Sequence, residues 1–274
     1  KEMLEAVSAK VDDEPCVSYI GPGASGHFVK MTHNGIEYAI MQLLAETYDI
    51  LKNGLGYDNN QIQQVFEKWN NGRLQSFLME ITKDVFLVKD DKTSGFLVDV
   101  IKDEAKSKGT GKWTSQVALD IETPIPTIDT AVSSRNLSKL KKLRLELAEV
   151  YGSTHQIEAS AEFIDDLEEA FYFAMTTAYA QGMHLLRQAS NAYQYELKLA
   201  EIAKIWRGGC IIRAEFLEDI YNAYKKQPDL EHLYSDTGIQ NKIKQSLKGT
   251  RNVICSAMKA GIAIPAFAAS LTYF

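Results

Sequence analysis

Five side chains that could do chemistry fall on one face of a predicted helix. Lys30, His33, Asn34, Glu37 and Tyr38 are spaced i, i+3, i+4, i+7 and i+8, which places them on one stripe over two helical turns. An amine, an imidazole, an amide, a carboxylate and a phenol together can bind a small polar substrate and transfer protons. The same spacing is also typical of a solvated polar face, so the pattern alone leaves both interpretations open.

Lys30 and Glu37 suit a pair of proton-transfer groups. They are ~10 Å apart along the helix axis, so their long side chains can converge on the two ends of a substrate lying along the helix. A lysine acts as a base only when it is neutral, which requires desolvation or nearby cations. Gly35, inside the same helix, costs about 0.8–1 kcal/mol of helix propensity. We therefore expect another backbone or a ligand to approach closely at Gly35.

The elements that position this stripe are predicted to be helices, because apolar residues recur at threes and fours. The stripe lies on a helix over 25–53, with Ser25 as N-cap and Gly54 at the C-terminal end. Further helices are predicted over 60–69, 74–86, 137–150, 160–189, 196–206, 211–225 and 239–260, and one begins near residue 114. Loops are predicted at 109–111 and around Pro124 and Pro126. The fold class is therefore all-α.

Two features bear on domain organisation. A short helix over 3–9 and a strand over 15–20 resemble the last piece of a Rossmann-like α/β domain, which gives a remnant at 1–23 and a helical domain at 24–274. The helix over 160–189 would be about 45 Å long. Glu162, Asp165 and Asp166 in its early turns and Arg187 near its end suit the helix dipole. Helices of this length usually cross a whole domain or pack against a partner subunit.

Composition excludes several classes of partner. The net charge of −6 and the pI of about 5.5 provide no basic field for nucleic acid or anionic lipid. No apolar run approaches the ~20 residues that cross a bilayer, and the first ten residues lack the apolar core of a secretory signal. Three scattered cysteines, Cys16, Cys210 and Cys255, show no metal-ligand or disulfide spacing and are interpreted as buried core thiols. We expect a cytoplasmic protein without a metal.

Three ordered sequence words carry a resemblance to a known family. GHFVKMTHNGIEY, KGTGKWT and WRGGCIIR resemble 6-phosphogluconate dehydrogenase, and the similarity extends to the final GIAIPAFAASLTYF. The resemblance implies the helical C-terminal domain of that enzyme, a homodimer, 6-phosphogluconate as substrate and NADP as cofactor. The implied reaction is oxidative decarboxylation to ribulose 5-phosphate.

The resemblance also implies site roles. Lys30 matches the general base that deprotonates the 3-hydroxyl of the substrate, and Glu37 matches the general acid that helps protonate C1 of the enediol formed by decarboxylation. His33 and Asn34 match positions that contact the substrate. The phosphate is expected to bind three side chains, Tyr38, Lys108 and Arg135. The aligned loop favours Lys108 over Lys112, and WRGGC is interpreted as packing and turn chemistry.

Parts of the family pattern have no counterpart in this sequence. It contains no glycine-rich dinucleotide fingerprint, so NADP is expected to bind mainly to a missing N-terminal domain that also supplies a substrate-binding serine and glycines. A family tail that reaches the neighbouring active site with an arginine and a histidine is also missing. We expect this polypeptide alone to be inactive. Two alternatives stay open: another β-hydroxyacid dehydrogenase, which would not need an acid at Glu37, and a non-catalytic helical dimerisation module.

Overall fold

The computed structural model describes residues 2–152 and 155–274, and in this part of the chain helices dominate. Residues 1, 153 and 154, which fall within the predicted segments 1–23 and 24–274, lie outside the described residues. In chain order the elements are α1 (Glu2–Val7), β1 (Lys10–Val11), β2 (Glu14–Pro15), α2 (Ser25–Asp49), a π-helical turn (Ile50–Gly54), α3 (Asn59–Asn70), α4 (Phe77–Val85), α5 (Leu97–Val100), α6 (Thr110–Asp120), α7 (Pro126–Ser138), α8 (Lys141–Tyr151), α9 (Phe163–Tyr193), α10 (Leu199–Trp206), α11 (Phe216–Lys226), a 3₁₀ turn (Leu233–Ser235), α12 (Thr237–Lys259) and α13 (Pro265–Leu271). The all-α prediction is confirmed.

The core is built around α9. This helix has 31 residues, about 46 Å at the usual rise per residue, and it packs against α12, α2, α13 and α7. Side chains such as Phe171, Ala174 and Leu185 are almost completely buried. The long helix predicted over 160–189 is therefore confirmed. Its C-terminal end lies at Tyr193, so Arg187 is further from the end than predicted.

α2 lies between α9, α6 and α7, which fixes the direction of its polar stripe. Gly182 on α9 leaves room for the Ile36 side chain, so the two helices approach closely. The predicted N-cap was wrong by one residue: Ala24 is the N-cap, and Ser25 is the first helical residue. The predicted C-terminal end at Gly54 is confirmed as the last residue of the π-helical turn that continues α2.

Several other boundaries differ from the prediction. The helices predicted over 74–86, 196–206 and 211–225 begin later, at Phe77, Leu199 and Phe216. α6 begins at Thr110 and not near residue 114, because Gly109 takes a left-handed backbone conformation (φ 100°) that ends the preceding loop at that point. Pro126 is not a loop residue but the first residue of α7, where its missing N–H costs nothing. The helix predicted over 137–150 is two helices, α7 and α8, separated at Lys139 and Leu140.

The strand predicted over 15–20 was wrong. Only Pro15 of this segment lies in a strand, because Glu14 and Pro15 pair with Lys10 and Val11 in a two-stranded antiparallel hairpin. A longer strand needs partners for its backbone groups, and the described residues provide none beyond this hairpin. The assignment of 1–23 to a Rossmann-like remnant stays a prediction.

Two further findings concern the surface and the cysteines. Among the described residues, no helix combines the length and apolar character that crossing a bilayer requires. The three cysteines are free thiols. Cys16 and Cys210 are partly buried and Cys255 is exposed. The interpretation as buried core thiols was therefore wrong for Cys255, whereas Cys210 packs against the core.

Candidate active site

Four of the predicted site residues meet on one face of α2. The Lys30 Nζ lies 3.4 Å from the His33 Nδ1, and the Glu37 Oε2 lies 3.9 Å from the same nitrogen. The distance between the amine and the carboxylate therefore cannot exceed the sum of these two distances. It is shorter than the ~10 Å that separates the two helix positions along the axis. The Asn34 Oδ1 is 3.2 Å from the same His33 nitrogen. The shared helix face is confirmed.

His33 is the buried centre of this group. Its side chain is 2% exposed, and burial, aided by the Lys30 charge, lowers its pKa to about 4. The imidazole is therefore neutral near pH 7, and a neutral Nδ1 can either accept from the Lys30 amine or donate to an oxygen. The ring packs edge-on against Trp206 at 5.7 Å. Its Nε2 has no hydrogen-bond partner among the described residues.

Glu37 is a carboxyl group with a perturbed acidity. Its side chain is 18% exposed, and burial raises its pKa, while the charges of Lys30 and Arg135 act in the opposite direction. A raised pKa keeps more of the protonated form near neutral pH. This is the state in which a carboxyl group can donate a proton to a substrate.

The loop and first turn of α6 complete the site. The Asn34 Nδ2 donates to the Thr110 Oγ1 at 3.0 Å, which orients the Asn34 amide. A Cβ on Gly35 would lie 2.7 Å from the Thr114 Cγ2, so α2 and α6 can pack this closely only with glycine at that position. A close approach is therefore found at Gly35, but the neighbour is the Thr114 side chain and not the backbone or ligand that was expected.

Two of the three predicted phosphate-binding residues, Tyr38 and Arg135, form a second group. The Arg135 guanidinium lies over the Tyr38 ring at 4.0 Å, and the Arg135 Nη1 donates to the Lys106 carbonyl oxygen at 2.9 Å. This hydrogen bond holds the loop that also carries Lys108, which is exposed. A cleft of about 350 Å³ opens beside Tyr38 and Arg135. Gly111 is required here, because its Cβ would lie 2.5 Å from the Tyr38 ring.

The structure brings Lys30, His33, Asn34 and Glu37 together, and it pairs Tyr38 with Arg135. Lys108 shares only the neighbouring loop. The functional roles of these residues stay predictions. Sequence reasoning missed Thr110 as a partner of Asn34, although the hydroxyl stood inside the KGTGKWT word. It also missed the contact between Trp206 and His33, because neither helical spacing nor charge links α10 to α2.

The sequence is similar to a known family over nearly its whole length. Residues 26–274 match the family model of the 6-phosphogluconate dehydrogenase C-terminal domain. The chain is 46% identical to decarboxylating 6-phosphogluconate dehydrogenase 1 of Spinacia oleracea, covering 100% of the chain and 58% of the relative. It is 45% identical to the NADP(+)-dependent decarboxylating 6-phosphogluconate dehydrogenase of Bacillus subtilis, covering 100% of the chain and 59% of the relative.

A solved structure is equally similar. The fold matches Plasmodium falciparum 6-phosphogluconate dehydrogenase with a TM-score of 0.96 and 47% identity, covering 100% of this chain and 59% of that one. That protein is described in its apo form, with its cofactor NADP+ and with its substrate 6-phosphogluconate. The chain therefore spans somewhat less than three fifths of the length of these relatives.

Proposed function

The chain belongs to the 6-phosphogluconate dehydrogenase family through its C-terminal domain, and we propose that the protein carrying it oxidatively decarboxylates 6-phosphogluconate, with NADP as cofactor. The products would be ribulose 5-phosphate and carbon dioxide. The observation that carries the proposal is the convergence of the Lys30 amine and the Glu37 carboxylate on one His33 nitrogen. It gives one substrate access to a base and an acid from the same helix face.

Lys30 acts as the general base. Its amine is exposed and can reach the substrate 3-hydroxyl, from which it takes the proton as the hydride on the same carbon departs. The neutral His33 orients the amine, because its Nδ1 lies close enough to accept a hydrogen bond from it. NADP supplies the hydride acceptor when bound. The described residues contain no parallel sheet with a glycine-rich loop, so we assign its binding mainly to a part of the protein outside this chain.

Glu37 acts as the general acid. Loss of carbon dioxide from the 3-keto acid leaves an electron pair that the neighbouring carbonyl accepts, giving an enediolate. Glu37 then donates its proton to the carbon that carried the carboxyl group, which is C1 of the product, and the carbonyl re-forms. The raised pKa that burial gives this carboxyl group supports the role, because a donor must hold a proton at the working pH.

Five side chains bind the substrate. Asn34, oriented by its bond to Thr110, and His33 contact the hydroxyl-bearing part. The phosphate lies near Tyr38, Arg135 and Lys108, since a guanidinium, an ammonium group and a phenol match a phosphate well. The cleft beside Tyr38 and Arg135 supports this assignment.

The test uses the full-length protein with 6-phosphogluconate and NADP. We expect carbon dioxide and NADPH in equal amounts. Lys30→Met should abolish turnover and leave thermal unfolding nearly unchanged, and Lys112→Met, an exposed lysine on α6, is the matched control. Near-normal activity of Lys30→Met would remove the base assignment. NADPH without carbon dioxide would instead favour another β-hydroxyacid dehydrogenase.

A second experiment concerns the 274-residue chain alone, which we propose to be inactive. Calorimetric titration with 6-phosphogluconate should detect weak binding that Arg135→Ala abolishes. Such a result supports a retained half-site for the phosphate. No binding by either protein would favour the alternative of a non-catalytic helical dimerisation module.

We also propose a homodimer in the cytoplasm. α8 has no buried residue, and it exposes apolar side chains including Leu143, Leu145, Leu147 and Val150. An apolar surface of this kind often marks an interface. The free cysteines are consistent with a reducing compartment. Sedimentation of the full-length protein should give twice the chain mass, and the monomer mass would contradict the dimer.

A further inference from the structure

An ion cluster holds the hairpin that precedes the matched domain. The Arg207 Nη2 donates to the Glu14 Oε2 at 2.8 Å, and the Arg207 Nη1 donates to the Glu218 Oε2 at 2.5 Å. The Lys204 Nζ lies 3.1 Å from the other Glu14 oxygen. Glu14 therefore joins the β1–β2 hairpin to both α10 and the turn after it. Residues 2–25 precede the family match, so this contact links the domain to the chain before it.

Arg207 is not an ordinary surface arginine. Its side chain is 9% exposed, and its guanidinium lies 5.1 Å from the Tyr221 ring centre. Ion pairs exposed on both sides contribute little to stability. Here Glu14 and Glu218 are about half exposed (45% and 50%) but the Arg207 side chain is largely covered, so removing one carboxylate leaves part of the guanidinium charge uncompensated. Lys204 and Arg207 also lower the pKa of Glu14, which keeps it ionised. The position of the hairpin is therefore coupled to Arg207.

The two glycines after Arg207 fit the same hairpin. A Cβ on Gly208 would lie 3.0 Å from the Cys16 Sγ and 3.1 Å from the Val11 Cγ2. A Cβ on Gly209 would lie 2.8 Å from the Ala9 Cβ, and Gly209 has a left-handed φ of +69°. The hairpin therefore packs directly against backbone that carries no side chain. The ion pair of Arg207 with Glu14 and the close packing at Gly208 and Gly209 are two independent observations of the same contact between the hairpin and the turn after α10.

The same turn also contacts the candidate active site. Trp206, the residue before Arg207, packs edge-on against His33, whose Nδ1 contacts Lys30. The turn 206–209 thus has the site on one side and the hairpin on the other. A change in the position of the hairpin alters where the preceding chain lies relative to Lys30.

We propose that Arg207 and Glu14 form an interdomain contact that positions the part of the protein before residue 26 against the Lys30 site. The kinetic consequence rests on the proposed function, in which that preceding part carries most of the cofactor site. Arg207 is then a positioning residue for the reaction and touches no substrate. Misplacement of reacting groups by about 1 Å can lower rates by up to about a hundredfold.

The test compares Glu14→Gln with Glu218→Gln in the full-length protein. Each variant removes one carboxylate charge from Arg207, but only Glu14 lies on the hairpin. Hydrogen exchange is followed at the Cys16 amide, which donates to the Ala9 carbonyl oxygen at 2.7 Å, and steady-state kinetics are measured with 6-phosphogluconate and NADP. Glu14→Asp, which keeps the charge, tests for rescue.

Glu14→Gln should increase exchange at the Cys16 amide and lower kcat by about tenfold or more, with a KM for 6-phosphogluconate within about twofold of wild type. Glu218→Gln should change neither, and Glu14→Asp should recover part of both. Unchanged exchange and kcat in Glu14→Gln, or equal effects in both Gln variants, would overturn the inference. If the wild-type protein does not oxidise 6-phosphogluconate, the proposed function is contradicted instead. Hydrogen exchange at the Cys16 amide then tests the contact between Arg207 and Glu14 without the kinetics.

Discussion

Glu46 on α2 offers a test of the folding physics that does not depend on any proposed activity. Its side chain is almost completely buried. Its two oxygens accept the backbone N–H groups of Ala266 at 2.8 Å and Phe267 at 3.1 Å, at the start of α13. Gln42 donates a third hydrogen bond at 2.9 Å. Burial outweighs these three donors and raises the pKa of Glu46 from 4.5 to about 7.

The raised pKa of Glu46 determines the sign and the size of the change in the free energy of unfolding with pH. Between pH 4.5 and 7, native Glu46 retains a proton that the unfolded chain has released, so the free energy of unfolding falls as the pH rises through this window. At 1.36 kcal/mol per pH unit, the full loss above pH 7 is roughly 3 kcal/mol. Burial raises the pKa of Glu37 and Asp129 as well, whereas the lowered pKa values of His33 and His232 act in the opposite sense.

The difference in the free energy of unfolding between wild type and Glu46→Gln separates the contribution of Glu46 from those of the other groups. Urea unfolding of wild type and Glu46→Gln is measured from pH 4.5 to 8. Relative to the variant, wild type should lose roughly 3 kcal/mol across the window. Glu149→Gln, on the exposed face of α8, is the matched control and should give a flat difference. A flat difference for Glu46→Gln would refute the raised pKa, and a rise with pH would mean that the backbone donors outweigh burial.

Three further substitutions test the packing in the same unfolding assay. Gly35→Ala should destabilise the protein by about 1–3 kcal/mol, because its Cβ meets Thr114. Helix propensity alone would stabilise it by about 1 kcal/mol, so a gain in the free energy of unfolding would contradict the close packing. Tyr179→Phe should cost about 1–3 kcal/mol, because the buried hydroxyl donates to the Ile212 carbonyl oxygen; no change would contradict that hydrogen bond. Lys68→Met removes an exposed ion pair with Asp165 and should change stability by less than about 0.5 kcal/mol, and a larger loss would contradict the weak value given to exposed pairs.

Features set by local sequence were predicted well. α12 was expected over 239–260 and is found at Thr237–Lys259, because a regular apolar period and a capping aspartate define it locally. The shared face of Lys30 and Glu37 also follows from helix geometry alone. Their convergence on His33 follows from side-chain conformation, which spacing does not specify.

Features set by tertiary contacts were missed. α6 starts at Thr110, where Gly109 permits a left-handed turn and the Thr110 hydroxyl meets Asn34; a sequence with two glycines in three residues looks like a loop. The strand predicted over 15–20 failed because the described residues offer it no further strand to pair with; Cys16 lies against Gly208 after α10, and Tyr19 is exposed. The contact between Arg135 and the loop before Lys108 joins residues 29 positions apart, a distance that no periodic pattern covers.

Glycines at the contacts of α2 have a consequence for how the site tolerates change. Gly35, Gly111 and Gly182 leave space that Thr114, Tyr38 and Ile36 fill. A bare Cα has no rotamers, so a mismatch at these points must be absorbed by the facing side chain or by movement of the helices. The relative placement of Lys30, Glu37 and Thr110 is therefore set by backbone-to-side-chain contact. Sequence drift elsewhere in the core can alter stability while leaving the spacing of these groups unchanged.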